Sequence, residues 1–153
     1  MFASVNPFDP RTAFFARHAQ HVVLIHFPIA LFITGVAFDA AAQWTRRQHL
    51  VVVAGYNLVI AALFTIPVIV TGLAAWQWAL EGQKLKGILL MHLVSALISS
   101  VLMWFIAWLH FRARTRPKYL LPGYRLPLEF VAVALVALTG HLGGFLSGVN
   151  GPG

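Results

Sequence analysis

Residues 50–80 read LVVVAGYNLVIAALFTIPVIVTGLAAWQWAL, without one charged side chain. A helix needs about 20 predominantly apolar residues to cross the hydrocarbon of a bilayer. This run exceeds that length, so it spans a membrane with a tilt or extends past the lipid. Working outward, three more runs of the same kind appear, at 22–44 before it and at 87–111 and 126–149 after it. The connectors TRRQH, EGQKLK and RARTRPKYLLPGYR are short and carry most of the charge. Short connectors make neighbouring helices antiparallel. The sequence therefore predicts one all-α domain over 1–153, an integral membrane up-down four-helix bundle.

Composition agrees. Hydrophobic residues make up 59% of the chain and charged residues 10%, where a soluble domain carries about 25% charged residues. Most of the surface is thus expected to face the lipid bilayer. The net charge of +7 sits in loops between apolar runs, a distribution that belongs to membrane topology and not to nucleic acid. The absence of cysteine excludes disulfides, thiolate metal sites, iron–sulfur ligation and covalent c-type haem. The N-terminal stretch lacks the basic start, apolar segment and small-residue site of a cleavable signal peptide, so the first apolar run is expected to be an uncleaved anchor.

Lys and Arg set the expected orientation. Loops one and three hold Arg46, Arg47, Arg112, Arg114, Arg116, Lys118 and Arg125, against Arg11, Arg17, Lys84 and Lys86 on the other face. The heavier side is expected to be cytoplasmic. This predicts a bacterial inner membrane protein with both termini in the periplasm. Trp76 and Trp78 then fit an outer aromatic belt, and Trp44, Trp104 and Trp108 an inner one. Pro28 and Pro67 each remove a backbone donor. Pro28 either interrupts the first helix or sits in its first turn.

The chemistry is expected among the histidines, at 18, 21, 26, 49, 92, 110 and 141. By position along their helices, His26, His92 and His141 lie roughly 6–12 Å below the outer surface, with His21 and His18 just above them. Polar groups inside a bilayer are costly and usually face the bundle interior. Imidazoles from separate helices at one depth are what a metal or haem iron requires. In an up-down bundle the first and third helices are diagonal, so His26 and His92 are candidates to meet across the core as axial ligands. His141 and His21 are substitutes or ligands of a second site. Gly72 and Gly140, with Gly143 and Gly144, leave room there for a flat macrocycle, and Thr71 and Thr139 are placed to orient an imidazole through its second nitrogen. The plainer alternatives are interfacial histidines and glycines that serve helix packing.

His49 and His110 read as interfacial. Asp39, deep in the first helix, is either a proton acceptor or, preferably, the partner of an Arg from loop one or three. Tyr56 and Asn57 lie at its level, in hydrogen-bonding reach. Glu129 reads as a helix-dipole residue at the start of the fourth helix. No hydrolytic or phosphate-binding motif is present. Met91 and Met103 are too scattered for a copper relay.

The stretch His21-Val-Val-Leu-Ile-His26-Phe27-Pro28-Ile29-Ala30-Leu31 resembles the opening signature of the domain of unknown function 2231 family, small bacterial membrane proteins with a signature of roughly H-P-x-x-V-H-F-P-I-A-L. Asp39, His92 and Gly140-His141-Leu142-Gly143-Gly144 match further features of that family. Val22 stands where the family usually has proline, and Val149-Asn150-Gly151 where it tends to read histidine-glycine. The resemblance implies a four-helix fold and a redox setting, since related domains look to be joined to Rieske or cytochrome domains.

The sequence thus leads to a b-type haem subunit for electron transfer on the periplasmic side of a larger redox complex, more an accessory than a catalytic subunit. Its partners would be the bilayer and other subunits of that complex. The alternatives are a structural subunit without a cofactor, and a periplasm-facing copper or zinc site built from His21, His26, His92 and His141.

Overall fold

The computed structural model describes residues 17–78, 80–114 and 121–147, with side chains from residue 20 onward in the first segment. The side chains of Arg11, Arg17, His18, Arg116 and Lys118 and the segment 149–151 lie outside the described residues. Four helices follow in order: α1 (Arg17–Thr45), α2 (Gln48–Trp78), α3 (Gly87–Arg114) and α4 (Arg125–Leu146). All four are long and apolar enough to cross a membrane. The 31 residues of α2 make a rod of about 46 Å, longer than the ~30 Å hydrocarbon layer.

Each helix packs against its chain neighbours, and α4 also packs on α1, which closes an up-down bundle. The chain reverses between α1 and α2 over Arg46 and Arg47; Arg46 adopts φ 56°, and the Arg47 carbonyl accepts from Leu50 N at 3.1 Å. At the opposite end Glu81, Gly82 and Gly87 take φ of 51°, 62° and 57°, and the Trp76 indole donates to Gln83 O at 2.9 Å. Arg46, Arg47, Arg112, Arg114 and Arg125 thus gather at one end of the bundle, its basic end.

Pro28 lies inside a continuous α1 and is buried, so it does not begin the helix. The apolar core is formed by Phe32, Val36, Leu58, Ala61, Met103, Ile106, Ala132 and Val136, contributed by all four helices. α1 and α2 pack tightly at Gly35, where an added Cβ would lie 2.8 Å from Leu58 Cγ and 3.3 Å from Ala54 O. Outward-facing Ile33, Leu63, Val70, Leu97, Val101 and Val131 are exposed on the bundle surface, as lipid contact requires. Hydroxyls inside the bundle bond back to their own helices: Thr65 to Ala62 O, Ser99 to Ser95 O and Thr139 to Leu135 O, at 2.7–2.8 Å. With no water in the hydrocarbon, such local bonding satisfies them.

The Trp grouping needs one correction. Trp104 does not reach the basic-end interface with its polar atom; its indole N–H donates to Thr65 Oγ1 at 3.0 Å. Thr65 is a buried residue in the middle of α2. Trp44 is exposed, and Trp108 stacks on Phe105 with the Arg112 guanidinium 5.3 Å above its ring.

Candidate functional site

Two regions of the bundle interior depart from close apolar packing. The first is a cavity of about 290 Å3 at the end remote from the basic loops, walled by all four helices. Its polar lining is His21 and His26 from α1, His92 and Ser100 from α3, and Ser147 after α4; most of the remaining wall is apolar, with Gly72, Gly140, Gly143 and Gly144. A deeper cavity of about 80 Å3 adjoins it. His21 and His92 line both cavities, whereas His26 lines only the first.

Helical phase explains this division. The buried residues of α1, Pro28, Phe32, Gly35, Val36, Asp39 and Ala42, form one stripe. Extended back by seven residues from Pro28, the stripe passes through His21, and His26 lies off it. On α3, the stripe through Ser95, Ser99, Met103 and Ile106 extends back to His92 at i−3 from Ser95. His26 is accordingly exposed, with its Nδ1–H donating to Val22 O of its own helix at 2.7 Å. His141 is also exposed, with its ring edge-on to Phe145 at 4.9 Å.

His21 and His92 are held by neighbouring helices. His21 Nδ1 lies 3.3 Å from Thr71 Oγ1. The Thr71 hydroxyl already donates to Pro67 O at 2.8 Å, so its oxygen accepts and His21 Nδ1 is the donor. His92 Nδ1 lies 3.0 Å from Thr139 O, and a carbonyl only accepts. In both neutral imidazoles the hydrogen is thus on Nδ1, and Nε2 carries the lone pair. The glycines seat these rings directly. A Cβ on Gly72 would lie 3.0 Å from His21 Cε1, and one on Gly143 would lie 3.1 Å from His92 Cε1. Gly72, expected to leave space for a macrocycle, gives that space to the His21 ring. A Cβ on Gly140 would meet only Ile29 Cδ1, at 3.9 Å.

The second region lies near the basic end. Arg125 Nε donates to Asp39 Oδ2 at 2.6 Å, and its Nη2 to Gln43 Oε1 at 3.0 Å. Beside this pair, His110 Nε2 and Glu129 Oε1 lie 3.0 Å apart, both side chains fully buried. Ligand-type atoms of Asp39, His110 and Glu129 all fall within 4.8 Å of one another. The expected Asp39–Arg pairing is present. Two other expectations are corrected here. His110 is not interfacial, because it faces inward on the stripe shared by Met103, Ile106 and Ala107. Glu129 does not serve the helix dipole at the start of α4, because it lies past the first turn and shares the inward face of Arg125, Ala132 and Val136. Tyr56 and Asn57 do not reach Asp39: Asn57 Nδ2 donates to Val53 O at 2.9 Å, and Tyr56 is exposed beneath the Arg114 guanidinium at 4.1 Å.

A family model described as "Predicted membrane protein (DUF2231)" matches residues 17–151. The chain belongs to the DUF2231 family. No curated protein and no solved structure matches it significantly. The match covers both polar regions of this DUF2231 chain, from His21 to Ser147.

Sequence reasoning about the DUF2231 chain located the histidine-bearing end but missed the His110–Glu129 pair. The available signal was phase rather than depth. His110 is four residues from the end of α3 and Glu129 four from the start of α4, so by depth alone both look wet. Spacings of three and four from Met103, and of four from Arg125, put both on the buried stripes.

Proposed function

We propose that this chain is a b-type haem-binding membrane subunit that passes electrons within a larger redox complex. His21 and His92 are the axial pair in this reading. The observation that carries it is that these two imidazoles, from diagonal helices, line the junction of both cavities with each Nδ1–H committed to an acceptor on a neighbouring helix. Such anchoring fixes the tautomer and directs Nε2 as the ligating nitrogen. Two neutral imidazoles are the ligand set of a low-spin haem, which transfers electrons without taking substrate at iron. The apolar wall, with space left at Gly140, suits a flat macrocycle.

His26 is assigned a rim position instead of an axial one, since its ring is turned back on its own helix. His141 likewise has no ligand role in this reading. Zinc takes four protein ligands in a structural site and three in a catalytic one. Two inward imidazoles with a third turned aside favour haem over a bare copper or zinc ion. The excess of Arg and Lys in loops one and three supports a bacterial inner membrane location, with the haem on the periplasmic side and both termini there. The apolar outer faces of the helices leave ample surface for neighbouring subunits of the complex.

The test is an absorption spectrum of the purified protein, oxidised and reduced, after expression with ample haem supply. A Soret band that shifts on reduction is expected. It should be lost in His21→Ala and His92→Ala and kept in His26→Ala and His141→Ala. A folded wild-type protein with no haem, before and after reconstitution with hemin, would end this proposal.

A further inference from the structure

The buried pair near the basic end is unused by the function proposed above, and its charge does not close on its own. Arg125 is permanently cationic and is matched by Asp39 at 2.6 Å. What is left is Glu129 against His110, both with no exposed side-chain surface. With Glu129 ionised and His110 neutral, one net negative charge would be enclosed among helices in lipid. Taking an isolated ion out of water costs several kcal/mol or more. Glu129 Oε2 is buried and has no hydrogen-bond partner among the described residues. Among the described residues, the other ionisable groups facing the pair are Asp39 on α1 and Arg125 on α4, which already engage each other; at this level α2 presents Val51, Ala54 and Leu58, all buried and apolar.

We propose that His110 and Glu129 form a proton-binding site, holding one exchangeable proton between the imidazole and the carboxylate inside the membrane. One proton brings the whole four-residue cluster to zero charge, whichever partner carries it. The bond between Nε2 and Oε1 lets it pass from one to the other, and Oε2 is the second carboxyl position able to carry it. Exchange with water is geometrically short. His110 is four residues from the end of α3, a depth of about 6 Å. A cleft of about 370 Å3 at that end is lined by Leu109, Arg112, Ala113 and Tyr124, immediately beside and one turn from His110. In the other direction the core of Phe32, Val36, Leu58, Met103 and Ile106 separates the site from the histidine cavity. The proton therefore loads from the basic end.

The chain has only two glutamates, Glu81 and Glu129, and this makes a test possible without disturbing the fold. The full-length protein, in lipid nanodiscs, carries carboxyl-labelled 13C-glutamate and 15N-histidine. Infrared difference spectra and nitrogen NMR are recorded across the pH range in which it stays folded. The expected result is a titration of one proton seen as a glutamate carboxyl signal, a histidine imidazolium signal, or both. In a Glu81→Gln background, where Glu129 is the one labelled glutamate, the carboxyl signal vanishes on adding Glu129→Gln, and the imidazolium component assigned to the pair is the one lost in both His110→Ala and Glu129→Gln. Three results would overturn the proposal. One is a Glu129 that remains an ionised carboxylate beside a neutral His110 at every pH. Another is a titration unchanged by Glu129→Gln in a folded variant. The last is a stoichiometric divalent metal retained through mild purification and displaced only by chelator, which would make the cluster a cation site. None depends on haem, so failure of the electron-transfer reading leaves this one standing, and the reverse.

Discussion

At the level of single residues, small side chains decide where the imidazoles sit. In an ordinary helix interior Gly→Ala is stabilising by about 0.8–1 kcal/mol. At Gly143 a methyl group would press on the His92 ring at 3.1 Å. Gly143→Ala is therefore expected to keep or slightly raise thermal stability while weakening cofactor retention, read as a reduced or shifted Soret band per mole of protein. The double variant with His92→Ala should show the stability gain without the clash. Equal cofactor content in Gly143→Ala and wild type would mean that His92 is free to move and its placement is not set by this glycine. The Asp39–Arg125 pair gives a second prediction. Removing one member of a buried pair costs about 3–5 kcal/mol, because the other charge is left uncompensated, whereas an apolar replacement of both is often neutral. Asp39→Asn should lower the unfolding midpoint in detergent markedly, and Asp39→Leu with Arg125→Met should recover most of the loss. At this scale the sequence was only partly legible. An aspartate amid apolar residues announces a need for a cation, and loop three offers Arg125. That His110 and Glu129 meet is a fact about rotation of α3 and α4, which depth along a helix does not reveal.

At the level of elements, apolar length made the four helices readable, because hydrocarbon thickness leaves little freedom in how a chain crosses it. Their faces were less readable, since lipid-facing and core-facing residues are both apolar and the usual contrast between a wet and a dry side is missing. The cues that remained were small and polar residues at three- and four-residue spacing, such as Gly35, Asp39 and Ala42 on α1. His26 falls off that stripe, a difference from His21 that depth along the helix does not reveal. At Gly35 α1 and α2 pack tightly, and the packing there is tested by substitution. An added Cβ would lie 2.8 Å from Leu58 Cγ, a branch point and not the flexible tip of a side chain. Overpacking of this kind costs about 1–3 kcal/mol. Gly35→Ala is expected to destabilise despite its better helix propensity, and Leu58→Ala to cost about 2–5 kcal/mol through a cavity. Together they should cost less than their sum, by a coupling of about 0.5–3 kcal/mol, measured by reversible unfolding in mixed micelles. Simple additivity would show that the helices adjust around the glycine.

At the level of the whole molecule, the two ends are chemically different. One opens into an apolar cavity with anchored imidazoles; the other closes over the buried Asp39–Arg125 and His110–Glu129 pairs, with the apolar core between them. The internal packing is the same whichever end faces the cytoplasm, so geometry is silent on orientation and charge must set it. Loops one and three carry seven Lys and Arg, counted from Arg46, Arg47, Arg112, Arg114, Arg116, Lys118 and Arg125, against four elsewhere. The bias favours the basic end as cytoplasmic. The chain has no cysteine, so a single introduced thiol reports its own position. Gln48 and Gln83 are both exposed, at the basic end and in the second loop respectively, and neither carries charge, so replacing them leaves the bias intact. A membrane-impermeant maleimide applied to cells with a permeable outer membrane should label Gln83→Cys, and reach Gln48→Cys only after the inner membrane is broken. The opposite pattern would put the histidine cavity on the cytoplasmic side and remove the periplasmic electron-transfer reading, leaving the bundle intact. Labelling of both positions from one side would be more serious, because α2 joins these two residues and would then not cross the membrane.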